Sequence, residues 1–240
     1  MMGDMAALWS YLSTEPLLWL TATLLAYLAA AALARALGTP PWANPVLMAV
    51  LILAPVLWAT STPYATYFEG AQFIHFLLGP ATVALALPLY DNLPTIRKTV
   101  WPIVAALLVG SVVAAASAIG LARAFGLAPE VILSLAPKST TAPVALGISE
   151  AIGGLPTLTA VLVILTGIIG AVTVTPVMNA LRITDWRARG FAVGVAAHGI
   201  GTARAFQVHP QAGAYAGIAL ALNAVLTSLL VPLLVRVMLP

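Results

Sequence analysis

Residues 136–154 read APKSTTAPVALGISEAIGG and break the pattern of the chain around them. They bring a lysine, four hydroxyl groups, two prolines and a glutamate into a sequence whose other segments are largely Leu, Val, Ile and Ala. The whole chain is 62% hydrophobic and 7% charged, with a mean hydropathy of +1.05. A soluble domain has about 25% charged residues. The sequence therefore predicts an all-α integral membrane protein in which this stretch is a polar interruption.

Six segments are apolar and close to the length of about 20 residues that a helix needs to cross the hydrocarbon core. They are residues 17–37, 45–60, 100–124, 157–181, about 190–207, and 211–238. Two further stretches, 64–92 and 128–153, have Gly, Pro and polar residues at their centres. Lipid does not tolerate unpaired backbone groups, so these stretches must be buried in protein or line a cavity. We expect a polytopic bundle of about six full spans with two interrupted or re-entrant segments.

The two interrupted stretches resemble each other, which predicts an internal repeat. GPATVALALPLYDNLPTI (79–96) aligns with TTAPVALGISEAIGGLPTL (140–158), and a long apolar helix follows each copy. The predicted repeat units are about 64–124 and 128–181, within a single transmembrane domain that spans residues 1–240. Inverted repeats with interrupted segments that meet near the midplane are typical of secondary transporters.

Basic residues fix the expected number of crossings between the two copies. Arg97 and Lys98 follow the first interrupted stretch, and Arg182, Arg187 and Arg189 follow the helix after the second. If both clusters are cytoplasmic, the chain between them crosses the membrane an even number of times. The helices 100–124 and 157–181 already supply two crossings. The segment 128–153 should therefore enter the membrane and return on the same side, which inverts one repeat unit relative to the other.

In such a hairpin, residues 137–141 form the apex, and the second arm begins there as a half-helix. Thr140 or Thr141 is the expected N-cap, Pro143 fits the first turn, and Gly153–Gly154 ends the helix. Free N–H groups and the positive end of the helix dipole would then face the midplane beside the ammonium of Lys138. This arrangement predicts a site for a small anion.

The candidate substrate-binding residues of the two apices follow from this geometry. They are Lys138, Ser139, Thr140 and Thr141 in the second copy and Pro80, Ala81 and Thr82 in the first. Lys138 alternatively extends from a shallow loop to the headgroups. Glu150 is a candidate proton or coupling-ion site, or alternatively a solvated residue at the mouth of the hairpin.

A second polar island, RARGFAVGVAAHGIGTARAFQ (187–207), lies in the fifth apolar segment. Gly190, Gly194 and Ala197 would allow another helix to approach closely, and Gly199 and Gly201 weaken the helix after the histidine. Further candidate substrate contacts follow in this island and in the last span: His198, Thr202, Arg204 and Asn223. The histidine could also relay a proton. Alternatively it is a packing residue, the arginine extends to the interface, and the asparagine joins helices.

Several functional classes are excluded or disfavoured. The chain has no cysteine, so thiolate metal sites and cysteine nucleophiles are excluded. The basic residues lie mostly in short loops, which indicates membrane orientation and not a nucleic-acid surface. No H-E-x-x-H, G-x-S-x-G, P-loop or Rossmann motif is present, and the histidines lack the spacing of metal ligands. We expect neither an enzyme nor a bound metal or cofactor.

Three stretches of the chain are similar to one bacterial family. They are residues 137–171, which begin PKSTTAPVALGISEAIGG, residues 187–205, RARGFAVGVAAHGIGTARA, and residues 79–91, GPATVALALPLYD. They resemble the LrgB/CidB/YohK family of bacterial inner-membrane proteins, and the similarity covers essentially the whole chain. The family is in turn similar to the C-terminal half of the plastid glycolate/glycerate translocator. One departure from the family pattern is Ala197, where a serine commonly precedes the histidine.

The resemblance implies a multi-pass protein of the bacterial inner membrane that transports small monocarboxylates such as glycolate, glycerate or pyruvate. It also implies a small LrgA/CidA-like membrane partner. The alternative that it implies is a holin-like or antiholin-type regulatory protein that modulates murein hydrolase activity and lysis through oligomerisation. The small-residue helix faces make a homodimer a plausible assembly in either case.

Overall fold

A computed structural model describes residues 15–77 and 93–239 of the chain, together with positions 80, 83, 84, 87 and 90. Helices account for nearly all regular structure in these ranges, and no strand is present within them. The first three helices are α1 (Pro16–Ala36), α2 (Pro45–Ala59) and α3 (Tyr64–Phe76). They are followed by α4 (Leu93–Lys98), α5 (Val100–Ala124), α6 (Pro129–Leu135), α7 (Ala142–Ile152), α8 (Pro156–Ala180), α9 (Trp186–Val208) and α10 (Pro210–Met238).

Proline and capping side chains set where most of these helices begin. Proline occupies the first turn of α1, α2, α6, α7, α8 and α10, where its missing N–H costs no helical hydrogen bond. Asn44 caps α2 by accepting hydrogen bonds from the N–H groups of Val46 and Leu47 at 2.9 and 3.1 Å. Asp185 caps α9 by accepting from the N–H of Arg187 at 2.8 Å. Local sequence therefore accounts for the helix starts.

Within the described ranges, four helices are long and apolar enough to cross a membrane: α1, α5, α8 and α10. They contain 21, 25, 25 and 29 residues. At about 1.5 Å per residue they are longer than a hydrocarbon core of about 30 Å. Their outward faces carry exposed apolar side chains such as Val109 and Val113 of α5, which suit contact with lipid. The predicted polytopic, all-helical membrane protein is confirmed.

The chain forms two compact units, residues 1–81 and 82–240. In the first unit, α1 packs against both α2 and α3. The ring of Trp19 meets the ring of Tyr67 edge to face, with centroids 5.9 Å apart. Gly70 lies so close to α1 that a β-carbon there would come within 2.9 Å of the backbone nitrogen of Leu20. A glycine is therefore required at this crossing.

In the second unit, residues 128–153 form the first hairpin, which consists of α6, a turn at 136–141 (the first tip) and α7. The return of the chain is shown by contacts between Ser134, in the last turn of α6, and residues at and beyond the end of α7. The N–H of Leu155 donates to Ser134 Oγ at 2.7 Å, and the hydroxyl of Thr159 lies 3.0 Å from Ser134 O and 2.7 Å from Ser149 Oγ. Gly153 ends α7 in the left-handed conformation at φ 85°. The re-entrant path expected for this stretch is confirmed.

Residues 186–208, which make up α9, form a second hairpin. The helix breaks at Ala197 (φ −131°, ψ 17°) and His198 (φ 41°, ψ −138°), and residues 197–199 are the second tip. The rings of Trp186 and His209 stack at 4.9 Å, whereas an unbroken helix of this length would separate them by about 34 Å. A β-carbon at Gly201 would lie 3.1 Å from Val193 O, which places the second arm against the first. The segment at about 190–207, expected to be a continuous span, instead reverses.

The two hairpins enter the second unit from opposite ends. The guanidinium of Arg123, in the last turn of α5, donates to Met238 O at 2.6 Å, so α5 and α10 finish at the same end. At the other end, Thr99, Asp185 and Tyr215 line one cavity, so α5, α9 and α10 begin together there. α8 leaves the first hairpin and must run in the opposite direction to reach the second. The basic clusters at 97–98 and 182–189 therefore share an end, as their charge predicts.

A hairpin followed by a long helix thus occurs twice in the second unit, as residues 129–180 and 186–238, in inverted orientation. This pairing differs from the predicted repeat units of about 64–124 and 128–181. In the first of those units, α3 ends at Phe76, before the Gly-Pro pair, and most of residues 78–92 lie outside the described residues. That earlier copy therefore stays a prediction.

Candidate functional site

The two hairpins meet at one side chain, Asn223, in the middle of α10. Its Nδ2 donates to Ser139 O in the first tip and to Val195 O near the end of the first arm of the second hairpin, each at 3.2 Å. Asn223 is 1% exposed. Two segments that enter from opposite ends of the unit are therefore attached to the same amide.

The carboxamide oxygen of Asn223 is also fully engaged. Ser111 Oγ of α5 donates to Oδ1 at 2.7 Å, and Thr227 Oγ1, one turn further along α10, donates to it at 3.0 Å. An asparagine side chain offers two donors and two acceptor positions, and all four are used here. Asn223 was predicted as a substrate contact or as a residue that joins helices. Its geometry is that of a residue that joins helices.

The first tip carries the features expected of an anion site. Thr141 is the N-cap of α7, although its side chain makes no capping hydrogen bond, so the free N–H groups of the first turn face the tip. Lys138 Nζ lies 3.3 Å from Ser139 Oγ. Ser139 and Thr140 are buried, whereas Lys138 and Thr141 are partly exposed. Positive charge and unused donors are therefore concentrated at the start of α7.

Thr140 is the most informative residue of this tip. It is 0% exposed, and its Oγ1 has no hydrogen-bond partner among the residues that the structure describes. A buried hydroxyl without a partner is costly, at about 1–3 kcal/mol in protein mutational data. Most buried polar groups in folded proteins are paired. The Thr140 hydroxyl therefore keeps an unused hydrogen-bonding capacity at the first tip.

The second tip packs against α8. His198 Nε2 lies 2.9 Å from Val163 O, and because a carbonyl can only accept, Nε2 carries the proton. The imidazole occupies the space that a side chain would take at Gly167, where a β-carbon would be 2.6 Å from Cε1. Thr202 Oγ1 donates to His198 O at 2.8 Å within the second arm. His198 and Thr202 therefore define the conformation of the tip.

Other predicted residues lie away from the two tips. Arg204 is almost two turns along the second arm; it donates to Gln207 Oε1 at 3.3 Å and lines a small cavity with Trp186 and Arg189 near the hairpin base. Glu150 is exposed, more than two turns from the start of α7. Pro80 belongs to the first unit, and Ala81 and Thr82 lie outside the described residues. No group of three or more His, Asp or Glu side chains that could hold a metal occurs in the described part of the chain.

A cavity of about 520 Å³ lies between α5 and the first arm of the second hairpin. It extends from Thr99 and Asp185 at one end of the unit to Ala114 and Ala196, at the depth of the tips. Its walls are two rows of small residues at intervals of four, Ala106–Gly110–Ala114 on α5 and Ala188–Ala192–Ala196 on α9. This spacing is visible in the sequence, although only the fold shows that the rows face each other.

The mouth of the cavity carries an ion pair. Arg187 donates to both carboxylate oxygens of Asp185, with the shortest contact at 2.7 Å. These hydrogen bonds lower the pKa of the Asp185 carboxyl to about 2. The pair is therefore ionised at any physiological pH, and Arg182, Arg187 and Arg189, before and within the first turn of α9, leave this end of the unit basic.

Comparison with known sequences identifies the family of the chain. The LrgB-like family matches residues 23–237, which is most of the chain. The chain belongs to the LrgB-like family. This LrgB-like protein is 36% identical to the uncharacterized protein YwbG of Bacillus subtilis over 197 residues, which cover 82% of this chain and 88% of the relative. It is 36% identical to YxaC of the same organism over 213 residues, 89% and 92% of the two chains.

The holin-like protein CidB of Staphylococcus aureus is a further relative of this LrgB-like protein. The two are 34% identical over 195 residues, which cover 81% of this chain and 85% of CidB. No solved structure matches the chain. Family membership and the apolar helices together make this a multi-pass membrane protein.

Proposed function

We propose that this LrgB-like protein is a membrane transporter of small monocarboxylates, such as glycolate, glycerate or pyruvate, that works by alternating access. The observation that carries the proposal is the convergence of two oppositely inserted hairpins on Asn223, beside the free N-terminus of α7. Inverted hairpins that bring helix ends to mid-bilayer are how many secondary transporters build a substrate site.

The first tip would bind the carboxylate. Backbone N–H groups at the start of α7 and the Lys138 ammonium supply positive charge, and the Thr140 hydroxyl supplies a donor that has no partner among the described residues. The tip is mostly buried, so a molecule of a few heavy atoms fits it better than a large anion. His198 and Thr202, in the opposing hairpin, would close the site from the other side.

Alternating access would follow from movement of one hairpin at a time. The 520 Å³ cavity reaches the depth of the tips from the end that carries the basic loop, which supports an entry route on that side. By the charge asymmetry of its loops, that end is cytoplasmic, and the protein would lie in a bacterial inner membrane. Withdrawal of the first hairpin, which inserts from the opposite end, would open the site to the other face.

A second candidate function is that of a holin-like regulatory protein, and the relationship to CidB favours it. The name of that relative describes it as holin-like. On this view the protein would act through oligomers, such as a homodimer or an assembly with a small LrgA/CidA-like partner, and would modulate murein hydrolase activity. Apolar helix faces that remain exposed, such as that of α5, would provide the contacts.

The deciding experiment uses purified protein in proteoliposomes. Uptake of radiolabelled glycolate, glycerate and pyruvate is measured under proton and sodium gradients, in parallel with release of trapped calcein. Saturable uptake without calcein release supports the transporter. Calcein release without saturable uptake supports the holin-like protein and refutes the transporter.

A lysine substitution then tests the site. Lys138→Ala should lower uptake by roughly 10- to 100-fold, because a hydrogen bond to a charged group contributes about 1.5–3 kcal/mol. Lys138→Arg should retain part of the activity. The matched control is Lys98→Ala, which removes an exposed lysine at the end of α4 and should leave uptake unchanged. Full uptake by Lys138→Ala would remove this lysine from the site.

A further inference from the structure

The strongest unassigned feature of the second unit is the hydrogen-bond network around Asn223. We infer that Asn223 is a positioning residue for transport: its amide holds the two hairpin tips in register and does not itself contact the substrate. This inference rests on the proposed function, but the geometry that it describes can be tested without transport. On this inference, one side chain holds together two hairpins that are far apart in sequence.

The orientation of the amide is fixed by its surroundings. Ser139 O and Val195 O can only accept, so the amide nitrogen must face them, at 3.2 Å each. Oδ1 therefore faces the other way, where Ser111 Oγ and Thr227 Oγ1 donate to it at 2.7 and 3.0 Å. The two hairpin carbonyls thus direct both amide hydrogens at the hairpins.

The carbonyls that receive these hydrogens need a partner from outside their own segments. Ser139 O lies in the non-helical first tip, between α6 and α7. Val195 O lies in the last turn of the first arm, just before the break at Ala197 and His198. Carbonyl groups in the last turn of a helix have no backbone N–H of that helix to accept a hydrogen bond from. In a site shielded from water, Asn223 supplies the donor for both carbonyls.

A neutral side chain with two donors suits this role, and its substitution by aspartate gives a specific test. The carboxyl of Asn223→Asp can donate one hydrogen bond to a tip carbonyl when it is protonated. When it is ionised it is acceptor-only, and its oxygens face the carbonyl oxygens of Ser139 and Val195. Lys138 of the first tip and His198 of the second are titratable groups common to both proteins, so tip geometry in this variant should show a pH dependence beyond that of the parent protein. A residue with only a packing role would tolerate Asn223→Leu, an apolar side chain of similar size, whereas the donor role predicts that this variant broadens the distance distribution between the tips at every pH.

The experiment measures the distance between the hairpins directly. The chain has no cysteine, so spin labels can be placed on Gly147→Cys in α7 and Gly199→Cys at the second tip without background. A β-carbon at either glycine meets no atom within 4 Å. Double electron–electron resonance in nanodiscs then gives the distance distribution between pH 5 and pH 9. Radiolabelled glycolate uptake is measured on the unlabelled variants over the same range.

The expected result is a narrow distribution for the parent protein, in which Lys138 and His198 set the same pH response as in the variant. Asn223→Asp should give a narrow distribution at low pH that broadens reversibly as pH rises. Its maximal uptake rate should fall about tenfold over the same interval, the ratio that corresponds to one lost buried hydrogen bond. Ser228→Ala, which removes an exposed hydroxyl of the same helix, should match the parent protein in both measurements.

The remaining outcomes separate the two hypotheses. A width that changes with pH no more in Asn223→Asp than in the parent protein overturns the donor role. If Asn223→Asp does not give a monodisperse protein, Ser111→Ala replaces it. Loss of this donor to Oδ1 should broaden the distance distribution between the labels. An unchanged width of that distribution in Ser111→Ala overturns the inference. If the parent protein shows no uptake and the distances still respond to pH, the transport proposal fails and the positioning role of Asn223 stands.

Discussion

Replacement of Thr140 by valine should raise stability and lower transport at the same time. Thr140 is 0% exposed, and its hydroxyl has no hydrogen-bond partner in the described part of the chain. A methyl group of similar size removes the cost of burying that hydroxyl, which is about 1–3 kcal/mol. With part of this gain lost to imperfect packing, the ligand-free protein should become more stable by about 1–2 kcal/mol. For a chain of this length, that corresponds to an increase in Tm of about 2–8 °C.

Uptake should change in the opposite direction, because the same hydroxyl is proposed to donate to the substrate. The assay pairs thermal unfolding in detergent, with and without glycolate, with glycolate uptake into proteoliposomes. Thr140→Ser keeps the hydroxyl and should retain uptake. Thr141→Val changes the neighbouring, partly exposed N-cap, whose side chain makes no capping hydrogen bond, and should have a small effect on stability. A Thr140→Val variant that is less stable and transports normally would refute the reasoning, since the hydroxyl would then serve the fold alone.

Two further predictions concern the second tip and the orientation of the unit. Gly167→Ala should destabilise the protein by about 1–3 kcal/mol, because the new β-carbon would lie 2.6 Å from Cε1 of His198 and push the imidazole off α8. Thermal unfolding measures this change. The control is Gly147→Ala, which adds a methyl group in open space. Equal Tm values for the two variants would contradict the packing of the second tip on α8. Single cysteines at Thr184 and Leu127 should be labelled by an impermeant maleimide from opposite sides of the membrane, the first only in inverted vesicles. Labelling of both from one side would contradict the inverted arrangement.

The sequence predicted the individual helices well because their limits depend on local chemistry. The helix expected over 157–181 is found at Pro156–Ala180, and the one expected over 100–124 is found at Val100–Ala124. The break after Leu135 was also predictable, since Pro, Lys and three hydroxyl residues cannot lie unpaired in lipid. The cap, expected at Thr140 or Thr141, is found at Thr141, and the helix end expected at Gly153–Gly154 is found at Gly153, because both depend on only a few neighbouring residues.

The second hairpin was not predicted because its reversal depends on contacts that are distant in sequence. Gly199 and Gly201 indicated a weakened helix, but a kinked span and a hairpin share that signal. The reversal is stabilised by the stacking of Trp186 on His209 and by the packing of the tip on α8. The role of Asn223 was similarly open, because its partners range from a residue one turn away to Ser111 in another helix. An apolar helix with one asparagine looks the same whether that side chain contacts a substrate or a neighbouring helix.

The single-residue connection between the second hairpin and α10 has a consequence for synthesis of the protein. Residues 186–208 carry three arginines and a histidine and are not among the helices apolar enough to enter lipid alone. Their first arm packs at backbone distance on α10, through Gly190 against Ala212 and Gly194 against Ala216. The emerging chain must therefore remain at the insertion machinery until α10 has been made, and the two then leave it as one piece. Before α10 has been made, a cysteine placed in residues 186–208 of a nascent chain should therefore still react with a water-soluble maleimide, whereas it should be protected in the full-length protein.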